Sequence, residues 1–274
     1  MGSNDATGEP NPWAELDKFS PSVTKQVVEK VGPLLRRWFR SEVHGLGDFP
    51  QDFGALVVSN HSGGMFTPDV MLFGSAFYRR FGYRARPLYT LAHYGVVMGP
   101  LGELMGKVGV IEASPENAAA ALHSGGVVLV FPGGDYDSYR PTTSDGVIDF
   151  DGRTGYVRTA IAAGVPIVPS VSIGGQESQL FLTRGNTLAK LLGLNKARVE
   201  ILPVTFGFPF GFSVLIPPNL PLPTKIVTQV LEPIDIEARF GPDPDVAEVD
   251  TYVRSVMQDA LDELARNRRF PIIG

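Results

Sequence analysis

A histidine and an aspartate stand eight positions apart directly after a short apolar run. The run covers residues 55–58, two polar residues lead from it to His61, and Asp69 follows a pair of glycines and a Thr-Pro step. An imidazole can take a proton from a hydroxyl group near neutral pH, and a neighbouring carboxylate can orient the ring for that task. The pair is therefore a candidate general base with its partner. The alternative is a structural turn in which His61 only closes the end of a strand.

A second loop follows another apolar run, residues 127–131, and begins with Pro-Gly-Gly. Glycine lacks a side chain, so the backbone can approach a ligand closely here. Its N–H groups can then face an anion or a developing oxyanion. We therefore take four residues of this loop as candidate contacts for an oxyanion or another group of a ligand: Gly133, Gly134, Asp135 and Arg140.

The composition excludes several kinds of chemistry. Of 274 residues, 24 are Lys or Arg and 29 are Asp or Glu, a net charge of −5 that argues against nucleic acid as a partner. The chain has no cysteine, so disulfides, a thiol nucleophile and an acyl-cysteine intermediate are excluded. The four histidines are scattered, and we predict no metal site. The sequence contains neither a Gly-x-Ser-x-Gly elbow nor a Gly-Lys-Ser/Thr phosphate loop.

Short apolar runs alternate with helical patterns over much of the chain. This alternation is typical of βαβ units, so we predict a single α/β domain with a mostly parallel central sheet flanked by helices. Functional residues of such folds lie in loops at the carboxyl ends of strands, where both candidate loops stand. The predicted strands cover residues 55–58, 86–90, 108–111, 127–131, 166–172 and 225–231, and the predicted helices cover 68–81, 93–105, 115–123, 154–163 and 245–266.

The N-terminal part departs from this alternation. We predict a disordered tail over residues 1–14, an amphipathic helical segment over 15–45 and the main domain over 46–274. Apolar residues recur at helical spacing in the segment with Lys and Arg between them, and Pro33 is expected to kink or split it. Such a basic helix either lies on an anionic membrane or packs against the domain.

Residues 201–224 form the longest run without a charge. The run is long enough to span a bilayer, but its six prolines exclude a continuous helix. It is either a buried β segment with a proline-rich turn or a loop that dips into a membrane. Four phenylalanines of this run line an apolar groove, touch a membrane or belong to the core: Phe206, Phe208, Phe210 and Phe212.

Four segments resemble, in order, the sequence blocks of the glycerolipid acyltransferase superfamily. The first ends a strand in Asn-His with a downstream Asp, and the second centres on Gly-Pro-Leu-Gly. The third has Phe-Pro-Gly-Gly where the family has Phe-Pro-Glu-Gly-Thr, and the fourth reads Val-Pro-Ile-Val-Pro. The segments cover residues 57–69, 91–114, 126–141 and 164–175, within a resemblance that extends over about residues 55–235. The resemblance implies an enzyme of phospholipid or triacylglycerol synthesis, with acyl-CoA or acyl-carrier protein as donor, a lipid acceptor and no cofactor.

The resemblance also implies a role for the residues of the first block. His61 would act as general base, and Asp69 would hold the imidazole and stabilise its charged form. Acyl transfer would be direct, in a ternary complex without an acyl-enzyme, and N–H groups of the Pro-Gly-Gly loop would stabilise the oxyanion. Seven residues separate His from Asp here and four in the family, so Asp135 or Asp137 is an alternative partner. Thr67 as a helix N-cap would still keep Asp69 near the strand end.

The acceptor class stays open because two positions depart from the family. Glu112 replaces the family's phosphate-binding arginine, and Gly133 replaces its glutamate. An acidic residue repels a phosphate monoester, which favours a neutral mono- or diacylglycerol acceptor. Arg140 or Arg153 can restore phosphate binding, and the better-known members of the family use lysophospholipids.

Four arginines after the first block are candidate contacts for CoA phosphates or anionic headgroups, or else ordinary cations at a helix end. They are Arg79, Arg80, Arg84 and Arg86. We expect a cytoplasmic protein that binds peripherally to the inner face of the membrane, since the polar first residues do not resemble a signal peptide. Two further hypotheses are a catalytically inactive lipid-binding protein of the same fold and a thioesterase that uses water as acceptor.

Overall fold

A computed structural model describes residues 11–50, 53–84, 86–144, 146–194, 200–214 and 217–270. The helices are α1 Pro12–Leu16, α2 Pro21–Trp38, α3 Pro68–Phe81, α4 Tyr94–Val97, α5 Gly102–Lys107, α6 Pro115–His123, α7 Gly134–Ser138, α8 Gly155–Ala163, α9 Asn186–Leu191, α10 Ile236–Phe240 and α11 Val246–Asn267. The strands are β1 Glu42–His44, β2 Ala55–Ser59, β3 Leu88–Ala92, β4 Val110–Glu112, β5 Val127–Val130, β6 Ile167–Ile173, β7 Leu180–Thr183, β8 Val204–Gly207, β9 Gly211–Val214 and β10 Val227–Val230.

Seven strands form the central sheet in the order β1-β10-β6-β2-β5-β3-β4. β2 lies in the middle, parallel to β5 on one side and to β6 on the other. β3 and β4 extend the parallel part, whereas β10 runs antiparallel to β6. The predicted α/β domain with a mostly parallel sheet flanked by helices is confirmed.

Every residue of β2 is buried, because packed layers cover both faces of the sheet. Leu56 and Val58 enter one hydrophobic core, which also holds residues of α6, α8 and α11. Ala55 and Val57 enter the other core, together with residues of α3. Since alternate residues of the strand enter two different cores, its sequence is continuously apolar rather than alternating.

Two helical predictions need correction. The predicted helix 93–105 is two short helices, α4 and α5, because Gly99-Pro100 interrupts the backbone ladder between them. Conversely, α2 continues through Pro33 without a break. Proline has no N–H, so the Glu29 carbonyl has no helical partner. Both residues are exposed, and water can therefore donate a hydrogen bond to that carbonyl. α2 packs against α3, and a Cβ on Gly32 would lie only 2.5 Å from Ser75 Oγ, so the two helices approach closely.

The N-terminal boundaries also differ from the prediction. α1 begins at Pro12, within the predicted disordered tail, because the Asn11 side chain accepts the Trp13 N–H and caps it. Residues 1–10 of that tail lie outside the described residues. β1, within the segment predicted to be helical, joins the central sheet beside β10 as a parallel edge strand. None of the described helices combines the length and apolar composition that a membrane span requires.

A second, smaller sheet is built from β7, β8 and β9, all antiparallel. Two of its strands come from the uncharged run 201–224. One face of this sheet is buried against the loop that follows β2, through residues such as Phe181. The sheet therefore lies at the carboxyl end of the central strands, next to both candidate loops.

Candidate active site

His61 and Asp69 lie together at the carboxyl end of β2. His61 Nδ1 is 2.9 Å from Asp69 Oδ2, and the imidazole keeps 13% of its surface exposed while the carboxylate is buried. When Nδ1 donates its proton to Asp69, the lone pair of the ring is on Nε2. The arrangement can therefore accept a proton from a substrate hydroxyl.

The segment between His61 and Asp69 brings the two side chains together because the chain turns sharply there. Gly63 and Gly64 have φ values of 82° and 59°, in the left-handed region that favours glycine. A 3₁₀ turn over Gly64–Phe66 follows, and α3 then begins with Pro68 and Asp69. Asp69 Oδ2 also accepts the Ser62 N–H at 2.7 Å, which ties the start of the loop to its end. Thr67 stands at the N-cap position but makes no side-chain capping bond there, contrary to the prediction.

Asp137 binds the backbone of His61 and not its ring. Its Oδ2 accepts the His61 N–H at 2.7 Å, and its Oδ1 is 2.7 Å from Arg140 Nη2. Asp135, the other alternative partner, is half exposed and lies 3.5 Å from Arg153 Nη2. Of the three carboxylates that the sequence left open, the structure thus brings Asp69 to the imidazole.

The Arg140 guanidinium is buried, which corrects the expectation that it could face an acceptor phosphate. Besides Asp137, it donates to the carbonyl oxygens of Ser144, Val147 and Asp149. These bonds attach the loop after α7 to the backbone that precedes α8. Arg140 thus fixes the Pro-Gly-Gly loop to the backbone that precedes α8.

Burial and charge act in opposite directions on the two titrating groups of the site. Burial has the largest effect on His61 and lowers its pKa, but the charge and hydrogen bond of Asp69 and the charge of Asp137 outweigh it. The net result is that the pKa of His61 is raised above its ordinary value. Burial raises the pKa of Asp137 to about 6, although Arg140 and the His61 N–H act to lower it.

Two contacts of His61 and its neighbour were not anticipated. Asn60 makes a reciprocal pair of bonds with the Ser172 backbone on β6: its Nδ2 donates to Ser172 O at 2.9 Å, and its Oδ1 accepts the Ser172 N–H at 2.7 Å. The Phe131 ring lies against the imidazole, with 4.3 Å between ring centroids. Asn60 and Phe131 belong to segments that resemble the family's sequence blocks, but only the fold shows that they contact the Ser172 backbone and the His61 ring.

The Pro-Gly-Gly loop lies beside the site but uses part of its backbone internally. The Gly134 N–H donates to Phe131 O at 2.9 Å. Gly133 is buried, and a Cβ built on it would lie 2.5 Å from Asp137 Cβ. The missing side chain at position 133 therefore leaves room for the Asp137 side chain.

Arg153 precedes α8 and lies beside the Pro-Gly-Gly loop, with 45% of its side chain accessible. Its Nη1 donates to Gly133 O at 2.9 Å. Glu112 lies at the end of β4, the edge strand, three strands from β2. At about 4.8 Å per strand this is about 14 Å from the end of β2.

The four arginines predicted to bind the donor lie away from the carboxyl end of β2 that carries His61. Arg79 and Arg80 are in the last turn of α3, ten and eleven residues beyond Asp69, or about 15 Å along the helix axis. Arg84 is exposed after the end of α3. Arg86 donates to carbonyl oxygens that precede β2 and β5, those of Pro50, Phe53 and Gly125. The structure does not bring these arginines to His61.

In the part of the chain that the structure describes, no three His, Asp or Glu side chains converge as metal ligands do. The polar groups around His61 are instead bonded to one another and to the backbone. The chemistry available at this site is proton transfer by an oriented imidazole.

Comparison with known proteins relates the chain to acyltransferases. The sequence profile of the Acyltransferase family matches residues 40–173. An uncharacterized protein of Mycobacterium tuberculosis is 34% identical over 266 residues, covering 93% of this chain and 70% of that protein. A Bos taurus protein named "DGAT1/2-independent enzyme synthesizing storage lipids" is 25% identical over 195 residues, covering 71% of this chain and 56% of that protein.

The fold is also found in a solved enzyme structure. The 1-acyl-sn-glycerophosphate (LPA) acyltransferase of Thermotoga maritima superposes with a TM-score of 0.53 at 19% identity, covering 88% of this chain and 81% of that one. The matched range contains the positions of His61, Asp69, Asp137 and Ser172. The chain therefore belongs to the acyltransferase family and shares the α/β fold of the glycerolipid acyltransferases.

Proposed function

We propose that this enzyme transfers an acyl group from acyl-CoA, or from an acyl-carrier protein, to a hydroxyl group of a glycerolipid on the cytoplasmic face of a membrane. The observation that carries the proposal is the 2.9 Å contact of His61 Nδ1 with Asp69 Oδ2 at the end of the central strand. The name of the Bos taurus relative, which refers to the synthesis of storage lipids, supports a lipid product.

His61 handles one proton in both halves of the reaction. Its Nε2 takes the proton of the acceptor hydroxyl as that oxygen attacks the thioester carbonyl, and the imidazolium is stabilised by Asp69. The tetrahedral intermediate then collapses, the carbon–sulfur bond breaks, and the thiolate takes the proton from His61. The products are an ester and a free thiol, and the enzyme returns to its starting protonation state.

Neither a cysteine nor the serine next to His61 offers a nucleophile for an acyl-enzyme. The chain has no cysteine. The Ser62 hydroxyl is buried and points toward Asp69 Oδ2, 3.5 Å away, on the Nδ1 side of the ring. We therefore propose direct transfer in a ternary complex. Because Gly134 N–H is engaged within its turn, Gly133 N–H is the better candidate oxyanion donor.

The long spacing between His61 and Asp69 would favour an inactive lipid-binding protein if it kept the two side chains apart. That spacing does not separate the two side chains, because the glycines of the loop fold it back. The geometry thus removes the main reason for the alternative. A thioesterase stays a separate outcome of the assay, recognised by thiol release without an acceptor.

The test is thiol release from palmitoyl-CoA with and without lipid acceptors. The His61→Ala variant is expected to lose a factor of about 10²–10⁴ in acceptor-dependent rate. His123→Ala, which removes an exposed histidine at the end of α6, is the matched control and should keep wild-type activity. If His61→Ala is as active as His123→Ala, the proposed role of His61 is wrong.

The acceptor class is tested with the same assay. Lysophosphatidic acid and lysophosphatidylinositol carry a phosphate, whereas monoacylglycerol and diacylglycerol are neutral. Because Arg140 is buried, phosphate recognition in this loop would depend on Arg153. An Arg153→Gln variant that raises the KM for a lysophospholipid but not for monoacylglycerol would identify a phosphate-bearing acceptor. Equal effects on both acceptors would favour a neutral one.

A further inference from the structure

The β8–β9 hairpin of the small sheet has its polar residues inside and its apolar residues outside. Phe206 is paired in register with Leu180 on one neighbouring strand and with Phe212 on the other. Phe206 and Phe212 are 46% and 72% exposed, and their ring centroids are 5.0 Å apart. A sheet with one face in water normally places polar residues on that face. Here the water-facing side is the apolar one.

The opposite face shows the reverse. Thr205 and Ser213, the residues that alternate with the phenylalanines, are buried. They are satisfied locally, since Asn219 Nδ2 donates to Thr205 Oγ1 at 3.3 Å and Ser213 Oγ donates to the Pro217 carbonyl. The buried face is therefore complete without the phenylalanines, and these side chains are not displaced core residues.

The apolar surface continues beyond the sheet. Phe208, at the tip of the β8–β9 hairpin, is 71% exposed, and its carbonyl accepts the Leu220 N–H at 2.8 Å. The next residue, Pro221, accepts a bond from Trp38 Nε1 at 3.1 Å, which joins the proline-rich loop to the end of α2. We call this surface the apolar face, formed by exposed Leu34, Trp38, Leu180, Leu182, Phe206, Phe208, Phe210, Phe212, Val214, Leu220 and Leu222.

The charges next to the apolar face are basic. Residues 201–224 contain no charged side chain, whereas α2 carries Lys25, Lys30, Arg36 and Arg37 against Glu29 alone. This excess of positive charge runs against the net charge of −5 of the whole chain. An anionic lipid surface attracts Lys and Arg, while aromatic residues are favoured at the boundary between headgroups and acyl chains.

We propose that the apolar face and the basic helix α2 beside it are the surface on which this enzyme docks to an anionic lipid bilayer. The aromatic hairpin enters the interface between headgroups and acyl chains, and α2 lies along the headgroups. Docking to the bilayer does not itself depend on acyl transfer. The purpose of docking rests on the proposed function, because a lipid acceptor enters from the membrane.

The small sheet connects this surface to the site. Its inner residue Phe181 meets the loop between His61 and Asp69, where a Cβ on Gly64 would lie 2.6 Å from the Phe181 ring. A bilayer on the outer face is thus separated from that loop by a single sheet, a layer about 10 Å thick. Docking in this orientation holds the site close to lipid headgroups.

The test is co-sedimentation of the full chain with phosphatidylcholine vesicles that contain 30% phosphatidylglycerol. We expect Phe208→Ser/Phe212→Ser to weaken binding by about tenfold for each aromatic side chain removed. The matched control is Met98→Ser/Leu101→Ser, which removes two similarly exposed apolar residues from the α4–α5 surface. We expect this control to bind as the wild type does. Lys30→Gln/Arg37→Gln should weaken binding to these vesicles but not to pure phosphatidylcholine.

Several outcomes overturn the proposal. The first is that the wild type fails to bind vesicles. The second is that the α4–α5 variant loses vesicle binding while the phenylalanine variant keeps it. The third is that the wild type is a dimer which the phenylalanine substitutions dissociate, with vesicle binding unchanged. The last outcome would assign the apolar face to self-association. Binding is repeated with His61→Ala, which is expected to dock normally. A docking failure can thus be distinguished from a failure of the proposed reaction.

Discussion

The loop cluster around His61 and the apolar face of the small sheet are built on opposite principles. Around His61, polar side chains are taken out of water and bonded to one another: Asp69 to the imidazole, Asp137 to the His61 N–H and to Arg140. On the apolar face, phenylalanines are left in water. The cluster is complete within the chain, whereas the side chains of the apolar face stay at least 39% exposed after folding. The contrast indicates that folding prepares the first region, while the second is shaped for something outside the protein.

The buried Asp137–Arg140 pair makes the difference clearest. Removing two charges from water costs several kcal/mol per ion, and the pair recovers this only through close contacts. Its contacts hold the His61 backbone and join the third sequence block to the first. The pair therefore serves to position the loop that carries His61 more than to stabilise the fold.

The largest effect is expected from Asp69→Asn, which tests whether the cluster is set up for proton transfer. The variant should lower kcat/KM by about 10²–10⁴-fold, because the imidazole loses its orientation and the stabilisation of its charged form. In the proposed mechanism the unprotonated form of His61 is the active one. Since the pKa of His61 is raised, wild-type activity should fall as pH drops through a value above the ordinary His pKa.

Without the Asp69 charge, the lowering effect of burial should move that midpoint to lower pH. The measurement is the pH dependence of kcat/KM, with Asp135→Asn as the control because Asp135 is half exposed and pairs with Arg153. A midpoint that stays in place in Asp69→Asn would contradict the assignment.

The second effect is on stability and separates the role of Asp137 from that of Asp69. Asp137→Ala should lower the free energy of unfolding by about 3–5 kcal/mol, because it leaves Arg140 buried without its counter-ion. Asp137→Asn keeps an oxygen for the His61 N–H and should be less harmful. Urea unfolding of both variants measures the difference. A loss below about 1 kcal/mol, typical of a surface ion pair, would show that the pair is not buried in solution.

A smaller effect is expected from Gly133→Ala, which probes how tightly the cluster is packed. Its Cβ would meet Asp137 Cβ at 2.5 Å, and overpacking of this kind costs about 1–3 kcal/mol. Gly155→Ala, where a Cβ meets nothing within 4 Å, is the control. In Gly133→Ala/Asp137→Gly the clash is absent. The double variant should therefore lose less free energy of unfolding than the two single variants lose in sum. Strict additivity would mean that the two positions do not touch.

The smallest effect tests the apolar face. Phe208→Ser/Phe212→Ser should change the free energy of unfolding by no more than about 0.5 kcal/mol, because both side chains are exposed. Phe181→Ser, on the buried face of the same sheet, should cost about 3–5 kcal/mol. Thermal and urea unfolding of the three proteins gives the comparison. A large loss in the double variant would mean that the phenylalanines stabilise the folded chain after all.

The sequence predicted the central sheet well because its strands are buried on both faces. Such strands are continuously apolar and end at glycine or polar loops, and the strands near residues 55, 127 and 167 were placed within a few residues. The weaker predictions fell where local and tertiary preferences compete. Pro33 was expected to kink or split α2, but the helix is not split there, because an exposed helix face tolerates the proline. β1 has only three residues, and its pairing with β10 depends on a partner almost two hundred positions away.

The sequence by itself determined the alternation that builds the sheet, the position of His61 at a strand end, and the exclusion of cysteine chemistry. These follow from residue types and from spacings of a few residues. The tertiary structure decided that Asp69 reaches the ring while Asp137 holds the backbone, since residues 61 and 137 meet only when β2 and β5 pair. It also decided which side of the small sheet faces water. Alternation defines two faces, but only the packing of Phe181 on the loop selects the one to be buried.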